Sequence, residues 1–279
     1  HLYKPNIALL SGIAWDHINV FPTFENYTDQ FAIFTDSMIH GGSMIYNEED
    51  ENVKEVVESS ENHIKKYPYT TPSHFIENGI TYIETAEGDL PLEIFGKHNL
   101  QNLAGAKWIC QHMGIDEDAF YEAIGSFSGA SKRLEKIAVT PSSVIFKDFA
   151  HSPSKVAATT RAVKDQYSKR TVLACLELHT YSSLNAEFLS EYKDSLKAAD
   201  TAVVFYSPKA VKIKQLEAVT AQQIAKAFQR DDLIIYTHPQ EFKDFLFRQN
   251  LDNVALVLMS SGNYGGLDFE EVKRLVLAR

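Results

Sequence analysis

From residue 143 onward, short apolar runs alternate with helical stretches of 10–14 residues. That alternation constrains the fold more than any other feature of the chain. Residues 143–146 (SVIF), 171–178 (TVLACLEL), 201–206 (TAVVFY), 233–237 (LIIYT) and 253–260 (NVALVLMS) are rich in β-branched and aliphatic side chains. They lack the polar–apolar alternation of a half-solvated strand, as strands covered on both faces do. Helical patterns follow them in turn, at 154–167, 186–199, 220–229, 239–249 and 268–278. Thr220 and Gln223 have the spacing of a capping box. This order predicts a parallel, doubly wound α/β domain.

The first half is more mixed. A strand at 6–11 leads into a helical stretch at 24–37, and short strands at 43–46, 74–77, 80–84 and 90–95 suggest an antiparallel extension. Two helices follow, at about 98–113 and 117–124. Leu100, Leu103, Ala106, Cys110 and Met113 line one face of the first. Asp116, Glu117 and Asp118 suit the N-terminus of the second. Residues 125–129 (GSFSG) read as a linker, which divides the 279 residues into domains at 1–128 and 129–279. A chain of this length exceeds what one core usually serves. The chain opens on a strand pattern without an initiating Met, and the expectation is a piece of a longer protein.

Charge narrows the function classes. Lys plus Arg number 27 against 37 Asp plus Glu, a net charge of −10. General binding to nucleic acid or to anionic membranes needs a basic surface and is not expected. Residues 48–61 carry seven acids and one Lys and read as a solvated acidic helix. No run approaches the length of a membrane span. Cys110 and Cys175 are the only cysteines and read as buried thiols, which fits a reducing, cytoplasmic setting without disulfides. No C-x-x-C or H-E-x-x-H occurs, so a structural zinc is not expected.

Open α/β sheets bind ligands at the carboxyl ends of their strands, and four polar clusters fall at such ends. They are Asp16–His17, residues 147–153 (KDFAHSP) with Asp148 and His151, residues 177–183 (ELHTYSS) with His179, and residues 260–266 (SSGNYGG) with Ser261 and Asn263. Each has a plainer reading: His17 as a satisfied structural histidine, Asp148 as a turn cap, the Gly-rich loop as a tight turn. Asn99 and Asn102 share a face at a helix start and can read a purine edge, or one can cap the helix. Arg133 at the domain junction can clamp a phosphate, or form an interdomain ion pair. The chain holds no G-x-x-x-x-G-K-[ST], no G-x-G-x-x-G and no Gly-x-Ser-x-Gly elbow.

Four segments together, SGIAWDH (11–17), GKHNLQNLAGA (96–106), FSGASKRLE (127–135) and KDFAHSPSKV (147–156), resemble the Mur ligases, ATP-dependent enzymes of peptidoglycan synthesis. The resemblance covers essentially the whole chain. It implies the C-terminal part of a Mur-type central ATPase domain, followed by a Rossmann-like C-terminal domain. The implied cofactors are ATP and Mg²⁺. His17 would bind the metal, Asn99 and Asn102 would lie at the adenine, Arg133 would reach the nucleotide and Asp148 the ribose. His151, His179, Ser261 and Asn263 would face the incoming amine. The ending MSSGNYGGLD (259–268) resembles the subgroup that recycles murein peptides. That implies joining UDP-N-acetylmuramate to L-alanyl-γ-D-glutamyl-meso-diaminopimelate; the alternatives are free L-alanine as acceptor or a non-catalytic binding fragment. Three departures stand out. Gly12 replaces a usual Asn, no Lys lies between Lys4 and Lys54, and His179-Thr180 stands where Arg often contacts the acceptor carboxylate. The P-loop and uridine-binding domain would lie upstream, so the chain alone is expected to be inactive.

Overall fold

The computed structural model describes residues 3–277. The chain forms two compact units that part between Ser128 and Gly129. Each unit is described by itself.

The first unit begins with three parallel strands, β1 (Ile7–Leu10), β2 (Ser43–Asn47) and β3 (Lys65–Tyr69), joined through helices α1 (Phe24–Asp36) and α2 (Glu51–Ser59). One face of this sheet buries Ala8, Leu10, Met44 and Tyr46 against Val53, Val56 and Val57 of α2. The acidic run is therefore amphipathic rather than wholly solvated: three valines of α2 face the core, and Asp50 caps the helix by accepting from Asn52 N and Val53 N. An antiparallel meander follows, β4 (His74–Glu77), β5 (Ile80–Thr85) and β6 (Gly88–Leu92), and then helices α3 (Lys97–His112) and α4 (Glu117–Gly125). Ile45 and Tyr69 of the parallel sheet pack with Ala104 of α3, while Leu100 and Leu103 pack on Ile83, Leu92 and Phe120. The predicted face of α3 is buried only at its start; Cys110 is half-buried and Met113 is 70% exposed beyond the last turn. The antiparallel extension holds for 74–77, 80–84 and 90–92. The strand at 43–46, by contrast, belongs to the parallel sheet between β1 and β3.

The second unit is built on one six-stranded sheet. Its strands are β7 (Glu135–Val139), β8 (Val144–Asp148), β9 (Thr171–Leu178), β10 (Thr201–Tyr206), β11 (Ile234–Tyr236) and β12 (Val254–Met259), in the order β11-β10-β9-β12-β8-β7. The strands from β8 onward run parallel, and β7 adds an antiparallel edge with a bulge between Lys136 and Ala138. Helices α5 (Pro153–Gln166), α6 (Pro208–Ile213), α7 (Ala221–Phe228), α8 (Pro239–Arg248) and α9 (Phe269–Leu277) connect or follow them. All six residues of β12 are buried, as predicted for a strand covered on both faces. The capping box at Thr220 and Gln223 forms. The helix predicted at 186–199 does not. That segment is short 3₁₀ turns at Ser182–Leu184 and Phe188–Tyr192, because Asn185 Oδ1 caps Glu187 N and Phe188 N and Asp194 sits at φ +58°.

Candidate functional site

In the second unit, β12 lies between β8 and β9, strands far from it in sequence. Ligand crevices of open α/β sheets form where such strands end side by side. The pairing of Met259 with Asp148 and with Leu176 brings three predicted loops to that one edge. Asp148 is buried, and its carboxylate accepts from Leu134 N and Ala150 N, each at 2.6 Å. The turn-cap reading of Asp148 is therefore the one that describes its present contacts. Those bonds fix the 147–151 turn against the entry to β7. Arg133, exposed one residue before Leu134, places its guanidinium 5.4 Å from the Phe149 ring. His151 is buried, with Nδ1 2.9 Å from Phe149 O, and its carbonyl accepts from the Tyr192 hydroxyl.

Glu177, which opens the predicted 177–183 cluster, lies at the end of β9. Its side chain is 4% exposed. Oε2 accepts from the Ser260 hydroxyl and from Tyr264 N at 2.8 Å, and Oε1 lies 3.6 Å from Nδ1 of half-exposed His179. The Tyr264 hydroxyl bridges Cys175 O (2.8 Å) and Met259 O (2.9 Å), tying β9 to β12 beneath the loop. Burial raises the Tyr264 phenol well above its ordinary range and pushes the Cys175 thiol up, so neither ionises near neutral pH. The Ser261 Oγ is buried without a hydrogen-bond partner, while Asn263 is exposed and its Oδ1 accepts from Gly266 N at 3.2 Å. A charged residue inside the apolar run TVLACLEL was the available signal for Glu177.

In the first unit, the loop after β1 carries Asp16 and His17. It is braced from the β2–α2 turn: Asn47 Nδ2 donates to Ser11 O, Asp50 Oδ2 accepts from Ile13 N, and Asn52 Nδ2 donates to Ile13 O. His17 sits at φ +57° with its side chain 67% exposed, and Nε2 is 4.0 Å from Asp16 Oδ2. His17 is therefore not a core histidine. Gly96 occupies the N-cap of α3 at φ +90°, so neither Asn caps the helix. Asn99 Nδ2 donates to Phe95 O at 2.9 Å and Asn102 is exposed. The start of α3 is fastened to the β2–α2 turn through Glu49, which accepts from Gln101 Nε2 (2.8 Å) and Thr71 N (3.2 Å), with Lys97 at 3.5 Å. Burial works to raise the Glu49 carboxyl, but the Thr71 hydroxyl, Gln101, the Thr71 amide and Lys97 outweigh it and hold it below its ordinary value. The structure gathers Asp148, His151, His179 and Ser261 at one edge of the second unit, and places His17, Asn99 and Asn102 in the first. Among the described residues, no group of three or more His, Cys, Asp or Glu side chains is set to hold a metal ion. No helix among them is long and apolar enough to cross a membrane.

Comparisons with known proteins agree with this architecture. Residues 1–110 match the Mur ligase middle domain. A UDP-N-acetylmuramate–L-alanine ligase from Caldicellulosiruptor saccharolyticus is 30% identical over 214 residues, covering 72% of this chain and 47% of the relative. Among solved structures, the UDP-N-acetylmuramate–alanine ligase of Thermotoga maritima superposes with a TM-score of 0.66 at 14% identity, over 99% of this chain and 60% of its own. The murein peptide ligase of Psychrobacter arcticus does so with a TM-score of 0.61 at 15% identity, over 99% and 57%. The fold is the Mur-type α/β fold. The chain spans about half the length of the curated relatives it matches.

Proposed function

We propose that this chain, with its Mur ligase middle-domain segment at residues 1–110, is the downstream portion of an ATP-dependent ligase acting on UDP-N-acetylmuramate, with L-alanine as the acceptor. The observation that carries the reading is the 30% identity over 214 residues to a UDP-N-acetylmuramate–L-alanine ligase. In this reading residues 1–128 complete a central ATPase domain and residues 129–279 form the acceptor domain.

The chemistry balances as a two-step transfer. The muramate carboxylate attacks the γ-phosphorus of ATP and ADP leaves. The acceptor amine then attacks the resulting acyl phosphate, loses a proton and expels inorganic phosphate. Asn99 and Asn102 would offer amides to the adenine, Arg133 a guanidinium to the phosphates, and Asp148 an acceptor to the ribose. A carboxylate has about four lone-pair positions, so the amides of Leu134 and Ala150 and the more distant Thr159 hydroxyl leave one for a ribose hydroxyl. His151, His179, Ser261 and Asn263 would face the amine component.

Magnesium, when bound, would neutralise the phosphates in transfer. Its fit here is partial: exposed His17 with Asp16 beside it supplies one edge of a site, and a hard cation takes most of its ligands as oxygens. Upstream residues and the nucleotide would complete it.

A second reading takes the murein tripeptide as acceptor. It is favoured by one observation: residues 179–192 and 259–272 contain no Lys or Arg for a single amino acid's carboxylate close to the amine. Competition kinetics with the full-length protein separate the two, with UDP-N-acetylmuramate and ATP fixed. A higher kcat/KM for L-alanine than for L-alanyl-γ-D-glutamyl-meso-diaminopimelate supports the main reading; the reverse order moves the protein to the second. Amide formation with neither rejects both.

A further inference from the structure

Glu177 is the one acidic side chain in the apolar stretch from Thr171 to Leu178, and it is buried at the end of β9. A carboxylate is retained in such a place only when partners satisfy it. Both oxygens are engaged, and on different loops. Oε2 takes the Ser260 hydroxyl and the Tyr264 amide of the loop after β12. Oε1 faces Nδ1 of His179, in the loop after β9. Gly262 closes the arrangement: a Cβ there would lie 2.8 Å from Glu177 Oε2 and 3.0 Å from His179 Cγ. The backbone thus passes over the pair at a distance that only glycine permits without displacing it. The Ser261 hydroxyl, buried and without a partner, borders the same turn.

We propose that Glu177 is a positioning residue of the acceptor site: it joins the two loops and holds His179 with Nδ1 turned inward and Nε2 presented to the acceptor. This rests on the ligase reading above and assigns a task to a residue that the reading did not use. The physical reason is orientation. With no Lys or Arg in either loop, an imidazole held in place by a buried carboxylate is the side chain best placed there to meet the acceptor. Glu177→Gln keeps an oxygen for Ser260 and Tyr264 but removes the charge facing His179.

The test uses the full-length protein carrying E177Q, with histidine ¹⁵N NMR and steady-state kinetics side by side. Expected are His179 ¹⁵N shifts that report a changed Nδ1/Nε2 tautomer relative to the wild type, and a kcat/KM for the amino component reduced about 10-fold, the scale of one polar contact to a charged group. The KM for ATP and the melting temperature stay near wild type. G262A, which presses a methyl group on the pair, lowers the same kcat/KM. An unchanged His179 tautomer, or equal losses for ATP and the amino component, overturns the proposal. The NMR arm reads the pair whether or not the protein makes an amide. Wild-type protein that forms no amide therefore rejects the ligase reading, whereas a shifted His179 with unchanged acceptor kinetics rejects only this inference.

Discussion

The two units hold their candidate residues in opposite ways. In the second, Asp148, Glu177 and Ser260 are buried and bonded to backbone or to one another, so the strand-end loops are fixed before any ligand arrives. In the first, His17 and Asn102 stand exposed, and what is fixed is the backbone beneath them, through Asn47, Glu49, Asp50 and Asn52. The difference teaches that buried polar residues and exposed ones answer to different tests. Truncating the former disturbs loop structure as well as chemistry. Changing the latter alters chemistry alone.

The largest expected effect breaks the second unit's side of the comparison. Asp148→Ala leaves the amides of Leu134 and Ala150 without their acceptor, a loss of about 3 kcal/mol in unfolding free energy at about 1–3 kcal/mol per buried orphan. Denaturant melts of the variant measure it. A change confined to the KM for ATP would mean that Asp148 acts as a ligand contact and not as a brace.

Next comes His17→Ala in the full-length protein. On the proposed metal role, loss of this imidazole should lower kcat about 100-fold. The fold should be untouched, because the side chain is exposed and Ala bears the same Cβ at φ +57°. Kinetics at limiting magnesium together with a thermal melt check both halves; near wild-type turnover would return His17 to a spectator.

Asn102→Ala should raise the KM for ATP about 5-fold, the worth of one neutral hydrogen bond, and leave the acceptor KM and the melting temperature alone. An acceptor-specific change would move the first unit's helix start out of the nucleotide site.

The smallest effect is electrostatic. Glu49 ionises below its ordinary value in the fold, so its contribution is complete above the unfolded carboxylate range and is lost as pH falls through the folded value. Part-exposed as it is, the contribution is under about 1 kcal/mol. Glu49→Gln should flatten the acid limb of a stability–pH curve by that amount, and a steeper limb would contradict the assignment.

What the sequence disclosed follows the same division. Runs such as 171–178 and 253–260 announce themselves because a strand covered on both faces has little freedom in composition. Strand β3, with its sequence KKYPY, was hidden because two lysines and a proline on a short, part-exposed strand look like loop. Strand β7 was hidden by its bulge and antiparallel edge position. The segment 186–199 has helical composition, yet the Asn185 cap and the left-handed Asp194 break it into turns. For the site, strand-end clusters were legible one by one. Their convergence was not, because it depends on β12 entering between β8 and β9. Glu49 and Asp50 read as two more acids in a charged run; only the fold shows them bracing the loop that carries His17 and the helix start that carries Asn102.

Isotope transfer tests the ligase account most directly. Full-length protein is given ATP, L-alanine and UDP-N-acetylmuramate labelled with ¹⁸O in its carboxylate, and the inorganic phosphate released is analysed by mass. Passage through an acyl phosphate predicts one ¹⁸O in each phosphate formed with amide. Phosphate free of the label, or amide formed without ATP consumption, would contradict it.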